Sequence, residues 1–198
     1  MTAPREVPLF LLNAVLFPGG PLLLRIFEPR YIDMVVERMR NEQPFGVCLI
    51  REGQEAGRAA TPHEVGTFAR IVDFQQYEDD LLGITTLGEG RFRVCNTRTQ
   101  ADQLVIGEVE PLSAEPERSL TVEHASIPEL VQTLLARTGP LYADLPKRFD
   151  DPTWLGYRLA EVLPIPLPHK QGFLELENPI ARLNQIGDVL RSMADKAD

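Results

Sequence analysis

The chain of 198 residues has only two cysteines and three histidines, little lysine, and no long hydrophobic run. Cys48 and Cys95 sit inside apolar segments and form no CxxC pair, which excludes a disulfide framework and reads as two buried free thiols in a reducing compartment. His63, His124 and His169 stand apart from one another and from the cysteines, without the spacing zinc requires, so surface or capping roles are expected and no metal. The longest near-apolar run, Val7 to Phe17, contains Asn13 and falls short of the ~20 residues that cross a bilayer. Glu6 and Pro8 follow Arg5 at once, and no small-residue cleavage pattern comes after the apolar part, so a secretory signal is excluded. A cytoplasmic protein with no membrane contact is expected.

Positive charge is also in deficit. The formal net charge is -9, and acidic residues exceed basic ones both before and after Leu112. A phosphate backbone would be repelled, because counterion release from a basic face supplies most nucleic-acid affinity. Of the 20 basic residues all but Lys147, Lys170 and Lys196 are arginine. That bias fits bidentate recognition of carboxylates or phosphates, and a codon bias equally well.

Catalytic signatures are missing too. Pro18-Gly19-Gly20-Pro21 is followed by Leu22, Leu23 and Leu24, where a phosphate-binding loop needs Lys and Ser or Thr. Gly88-Glu89-Gly90 is a lone GxG between two strand-like segments, with no helix to receive a pyrophosphate, and reads as a hairpin turn. None of Ser113, Ser119, Ser126 and Ser192 lies in a GxSxG elbow. The trio Glu78-Asp79-Asp80 lacks the spread of ligands and distal Glu of a calcium loop and reads as a solvated hairpin tip. No catalytic residue and no cofactor is expected.

What is present is alternation. From Val7 to about Leu112, "LLLRIF", "FGVCLI", "VGTFARIVDFQQY", "LLGITTL", "RFRVCNT" and "LVIGEVEPL" are short strand-like runs separated by turns, a pattern that closes into a small barrel or a strongly curled sheet. One helix interrupts them: "EPRYIDMVVERMRNE" sets Tyr31, Met34, Val35, Arg38 and Met39 at helical spacing, with Pro29 in the first turn and Glu28 ahead of it. Residues 111–121 lose the alternation and read as a linker. Beyond them the period becomes helical, in "IPELVQTLLARTG" with Leu130, Leu134 and Leu135 on one face, in "DPTWLGYRLAEVL" capped by Asp151, and in "NPIARLNQIGDVLRSM" capped by Asn178. Between them "LPIPLP", Leu163 to Pro168, reads as an extended strut, or as a proline-rich ligand for another domain. The expected class is α+β, with a β-subdomain at 1–112 and a helical subdomain at 113–198.

"VPLFLLNAVLFPGGPLLLRIFEPRY" resembles the signature of the Lon N-terminal domain family, and the likeness continues through "FGVCLI", "EVGTFARI", "GEGRF" and "LPIPLPHKQGFLELENPIARL". The resemblance implies a PUA-like curled β-subdomain followed by a small helical one. In the full-length proteases such a region precedes ATPase and protease modules and helps recognise unfolded or tagged substrates; a similar module occurs in cereblon-like receptors. Neither module is present in these 198 residues, so a stand-alone, non-enzymatic member is expected. Gly172 departs from the pattern inside an expected helix, which suggests a close contact there.

The site expected from the residues is the surplus of large apolar side chains in the opening stretch: Leu16, Phe17, Leu23, Phe27 and Tyr31, as anchors for unfolded or extended polypeptide, with a separate protease as a further partner and a monomer or weak homodimer as the state. The competing reading places all five in the core. Arg91, Arg93 and Arg98 are the candidate phosphate contacts of the runner-up, an RNA-binding protein of PUA-like fold. An uncharacterised enzyme would need a cleft with convergent polar groups.

Overall fold

A computed structural model describes residues 4–77 and 81–194, and the chain divides into two compact units after Ser113. The acidic trio Glu78-Asp79-Asp80 lies outside the described residues.

The first unit holds strands β1 (Arg5–Leu12), β2 (Pro21–Ile26), β3 (Phe45–Glu52), β4 (Thr61–Pro62), β5 (Val65–Gln76), β6 (Leu82–Thr99) and β7 (Val105–Pro111), with helix α1 (Pro29–Asn41) between β2 and β3. The sheet order is β1-β7-β6-β5-β3-β4, β2 lies on β6, and a β1–β3 pairing closes the ring. That closing pair is parallel, Leu9 opposite Gly46 through Leu12 opposite Leu49, while the other pairings are antiparallel. A parallel pair needs a crossover connection, and the segment carrying β2 and α1 supplies it.

Strand β1 is buried on both faces, which is why it reads as an unbroken apolar run. Val7, Leu9 and Leu11 pack with Phe68, Phe92 and Val109, whereas Phe10 and Leu12 pack with Tyr31, Met34 and Val35 of α1. The Phe10 and Tyr31 rings stack with centroids 3.9 Å apart. Sequence expectation and structure agree on α1, its buried face and Pro29 in its first turn.

Gly88 and Gly90 do not form a hairpin turn, contrary to expectation. Strand β6 runs through them for 18 residues. A register shift between Thr67 and Ala69 of the partner strand absorbs the irregularity. A Cβ on Gly88 would lie 2.2 Å from the Phe17 carbonyl oxygen, so glycine is needed there for close approach of two backbones. The Pro18-Gly19 turn docks on the same point: Gly19 donates to the Gly88 carbonyl and Gly88 to that of Gly20, both at 2.8 Å.

The second unit carries α2 (Ile127–Leu135), α3 (Pro152–Val162), α4 (Leu167–Glu175) and α5 (Pro179–Ala194). Asp151 caps α3 by accepting from Thr153 N–H at 2.8 Å, and Asn178 caps α5 by accepting from Ile180 N–H at 3.0 Å, as their sequence positions predict. Three expectations fail here. In α2 the inward residues are Val131 and Leu135, and Leu130 is exposed. The strut ends at Pro166, because Leu167 and Pro168 already belong to the first turn of α4, where a missing N–H costs nothing. Gly172 has no neighbour within 4 Å of a built Cβ, so no close contact explains it.

Charge is buried in this unit. Arg182, fully buried, donates from Nη1 to Glu115 Oε2 at 2.9 Å and from Nε to the Phe173 carbonyl at 2.8 Å, and its guanidinium lies 4.1 Å from the Tyr157 ring centre. Tyr157 and Thr153 hydroxyls also donate to the Glu115 carboxylate. A residue read as linker thus anchors α3 and α5. His124 is buried, not superficial, between Thr121 Oγ1 at 2.7 Å and Asn184 Oδ1 at 2.8 Å.

Candidate functional site

The five apolar candidates of the opening stretch separate by burial. Phe17 is 0% exposed, Leu16 and Tyr31 are nearly so, and Leu23 and Phe27 are 62% and 63% exposed. The expectation that Leu16, Phe17 and Tyr31 anchor a ligand is corrected. Leu16 offers its carbonyl to the Thr67 hydroxyl at 2.6 Å, and the Phe17 carbonyl closes the Pro-Gly turn. Tyr31 is held on Phe10, where burial pushes its hydroxyl pKa up.

Arg30, between them in sequence, is a structural clamp. Its Nη1 donates to the Gln103 carbonyl at 2.7 Å, its Nη2 meets Glu28 Oε2 at 2.9 Å, and Glu28 Oε2 also accepts from Gly57 N–H at 3.3 Å. The Glu-Pro-Arg-Tyr motif therefore ties the start of α1 to two loops. Its chemistry is consumed by the fold.

Leu23 lies in β2 and Phe27 follows its last residue, at one edge of a three-stranded ribbon. The first half of β6 is flanked by β2 on one side and the end of β5 on the other, with Leu24 opposite Ile84 and Ile84 opposite Phe74. Ile84 and Leu24 are core, but Phe74 is 59% exposed, and Val72 is exposed as well. Leu23, Arg25, Phe74, Tyr77 and Thr85 line a shallow cleft of about 190 Å³. The Arg25 guanidinium lies 4.8 Å from the Tyr77 ring centre. Sequence reasoning missed Val72, Phe74 and Tyr77, although "RIVDFQQY" keeps apolar residues past the point where the strand has a core to cover.

Arg91, Arg93 and Arg98 do not form a basic patch. Arg91 is buried. Arg93 Nη1 lies 3.8 Å from Glu64 Oε2, and Arg98 grips Glu6 with Nε at 3.0 Å and Nη2 at 2.9 Å. The hydrogen bond and charge of Arg98 hold the Glu6 carboxyl below its usual range. Arg91 is thus removed from the surface, whereas Arg93 and Arg98 remain exposed, each beside a carboxylate. Cys95, expected inside, is exposed at the register shift of β6 against β7; Cys48 is buried, and burial pushes its thiol pKa up.

In the helical unit Gln132, Leu135, Tyr142, Lys147 and Phe149 line a cleft of about 470 Å³. Behind it, burial pushes the Glu161 carboxyl up to about 7 against the opposing pull of Arg158, the Tyr142 hydroxyl and Lys170. Arg158 Nε lies 3.1 Å from Glu161 Oε2, and Lys170 Nζ donates to the Glu161 carbonyl at 2.9 Å. Among the described residues no group of three His, Cys, Asp or Glu side chains is placed to hold a metal ion, and no helix is long and apolar enough to cross a membrane.

Lon proteases resemble the chain over nearly its whole length. It is 26% identical over 194 residues to Lon protease 2 of Myxococcus xanthus, covering 94% of this chain and 24% of the relative. It spans about a quarter of the length of the curated relatives it matches. Protein cereblon of Danio rerio is 33% identical over 109 residues, 54% of this chain and 24% of that protein. Among solved structures, a Lon N-terminal domain protein from Xanthomonas campestris superposes with a TM-score of 0.77 at 34% identity, covering 92% of this chain and 96% of that one. The family model of the ATP-dependent protease La (LON) substrate-binding domain matches residues 6–192, and the chain belongs to that family.

Proposed function

We propose that this protein binds unfolded or extended polypeptide through the β2–β6–β5 ribbon and presents it to a protease. The observation that carries the reading is the concentration of exposed large apolar side chains on one three-stranded ribbon, Leu23 and Phe27 at β2 and Val72 and Phe74 on β5, in a unit that buries most of its other large apolar side chains. Exposed apolar clusters of this kind mark interaction sites, and aromatic anchors contribute most where they meet a partner. Membership of a family described as a substrate-binding domain, and the likeness to Lon proteases, support the same reading.

The test is fluorescence polarisation of a permanently unfolded protein, reduced and carboxymethylated α-lactalbumin, with its folded form and a structured RNA alongside over a salt series. Salt-tolerant binding of the unfolded form alone is expected. Binding of RNA alone, falling steeply with salt, would replace this reading with the nucleic-acid one.

A further inference from the structure

We infer that the ribbon takes its polypeptide as an added β-strand, hydrogen-bonded to the free edge of β2 at Leu23 and Arg25. This rests on the polypeptide-binding reading and names the mode and the place.

The phase of the β2–β6 ladder decides which backbone groups are open. Gly88 N–H donates to the Gly20 carbonyl, and the register continues without a shift from Pro21 opposite Leu87 to Ile26 opposite Leu82. Hydrogen-bonded positions alternate along an antiparallel pair. Leu22, Leu24 and Ile26 therefore turn N–H and C=O toward β6, and Pro21, Leu23 and Arg25 turn theirs outward. The other flank of β6 agrees, since Tyr77 N–H donates to the Leu81 carbonyl on the β5 side. Among the described residues β2 pairs with no strand but β6. Pro21 has no N–H to lose on the open side. The usable edge is thus the donors and acceptors of Leu23 and Arg25, enough for a partner segment of about five residues.

The two edges of the ribbon differ. The β5 edge is blunted by a register shift between Ile71 and Asp73, and the Asp73 carboxylate accepts the Phe74 N–H at 2.8 Å. Bulges and inserted charge are common devices against strand addition. The β2 edge keeps an unshifted register, its charged side chain Arg25 lies over the Tyr77 ring, and its outward side chain Leu23 together with that ring offers apolar ground beside the open backbone. Only an extended backbone satisfies such an edge, and alternate apolar side chains of that strand would rest on Leu23 and Tyr77. A second copy of this chain is disfavoured as occupant because it brings another net charge of -9.

Residue-resolved amide exchange by NMR, with and without saturating carboxymethylated α-lactalbumin, tests the mode. Exchange at Leu23 and Arg25 is expected to slow at least tenfold, with little change at Leu22 and Leu24, which the β6 ladder already protects. Leu23→Pro removes an outward donor without touching that ladder and should weaken binding about tenfold; should it fail to fold, the exchange result on the unaltered chain stands alone. Binding without protection at Leu23 and Arg25 would overturn strand addition and leave the proposed function intact. Protection that rises with protein concentration alone would identify a second copy and overturn the assigned occupant, and absence of binding would overturn both readings.

Discussion

The two units differ in how deeply they bury charge. The β unit is organised by two apolar clusters on the faces of β1, whereas the helical unit keeps Arg158 and Arg182 at 0% exposure. The helices bury an apolar core of their own, Leu155, Phe173 and Ile186 among it, and the Arg182–Glu115 cluster adds specific contacts to it. A buried ion pair adds little net stability over a packed apolar group, yet removing one partner strands the other. Buried charge is thus committed to the fold in both units, by Arg182–Glu115 in one and Arg30–Glu28 in the other, while the β unit in addition displays Leu23, Phe27 and Phe74.

The sharpest break of this contrast is a matched pair of truncations. Arg182→Ala should cost about 3–5 kcal/mol by leaving Glu115 buried without its countercharge, and Phe17→Ala should cost about 3–5 kcal/mol through a cavity and lost burial. Denaturant melts read by near-ultraviolet signals would show it. Equal and small losses would mean that neither side chain is as buried as described.

Glu161 sharpens the contrast by pH. Its pKa of about 7 in the folded protein lies above the ordinary carboxylate value of 4.5, so the folded helical unit favours the protonated form. That contribution is fully present below about 4.5 and is lost as pH rises through about 7, on the order of 3 kcal/mol by linkage. Glu6 in the β unit has the opposite sign: its lowered pKa gives a contribution lost as pH falls. Thermal unfolding between pH 5 and 8 should show helical signals destabilised as pH rises, and Glu161→Gln should flatten that slope.

The smallest stability effects are expected at the proposed site. Phe27→Ala, Leu23→Ala and Phe74→Ala should each change stability by less than about 0.5 kcal/mol, since exposed positions have little packing to lose, while weakening polypeptide binding by roughly 1 kcal/mol, about fivefold. Melting and polarisation measurements on the same samples separate the two quantities.

Much of this was legible from residues. Asp151-Pro152 and Asn178-Pro179 announce helix starts because capping is local chemistry, and the α1 face follows from spacing alone. The errors lie where a distant partner decides. Leu16, Phe17 and Tyr31 look surplus until Gly88 and Phe10 are seen to receive them. Gly88-Glu89-Gly90 resembles a turn because nothing local reveals that Phe17 must approach it. Glu115 and Arg182 look like surface charges, being 67 residues apart. Phe74 was overlooked because alternation marks a strand but not the point at which it outruns its core.

The most direct measurement is a titration of carboxymethylated α-lactalbumin into the unaltered chain and into a Leu23→Ser/Phe27→Ser double variant whose melting temperature matches it. The account predicts at least tenfold weaker binding by the variant. Equal affinity would contradict the central claim that this exposed ribbon is where polypeptide binds.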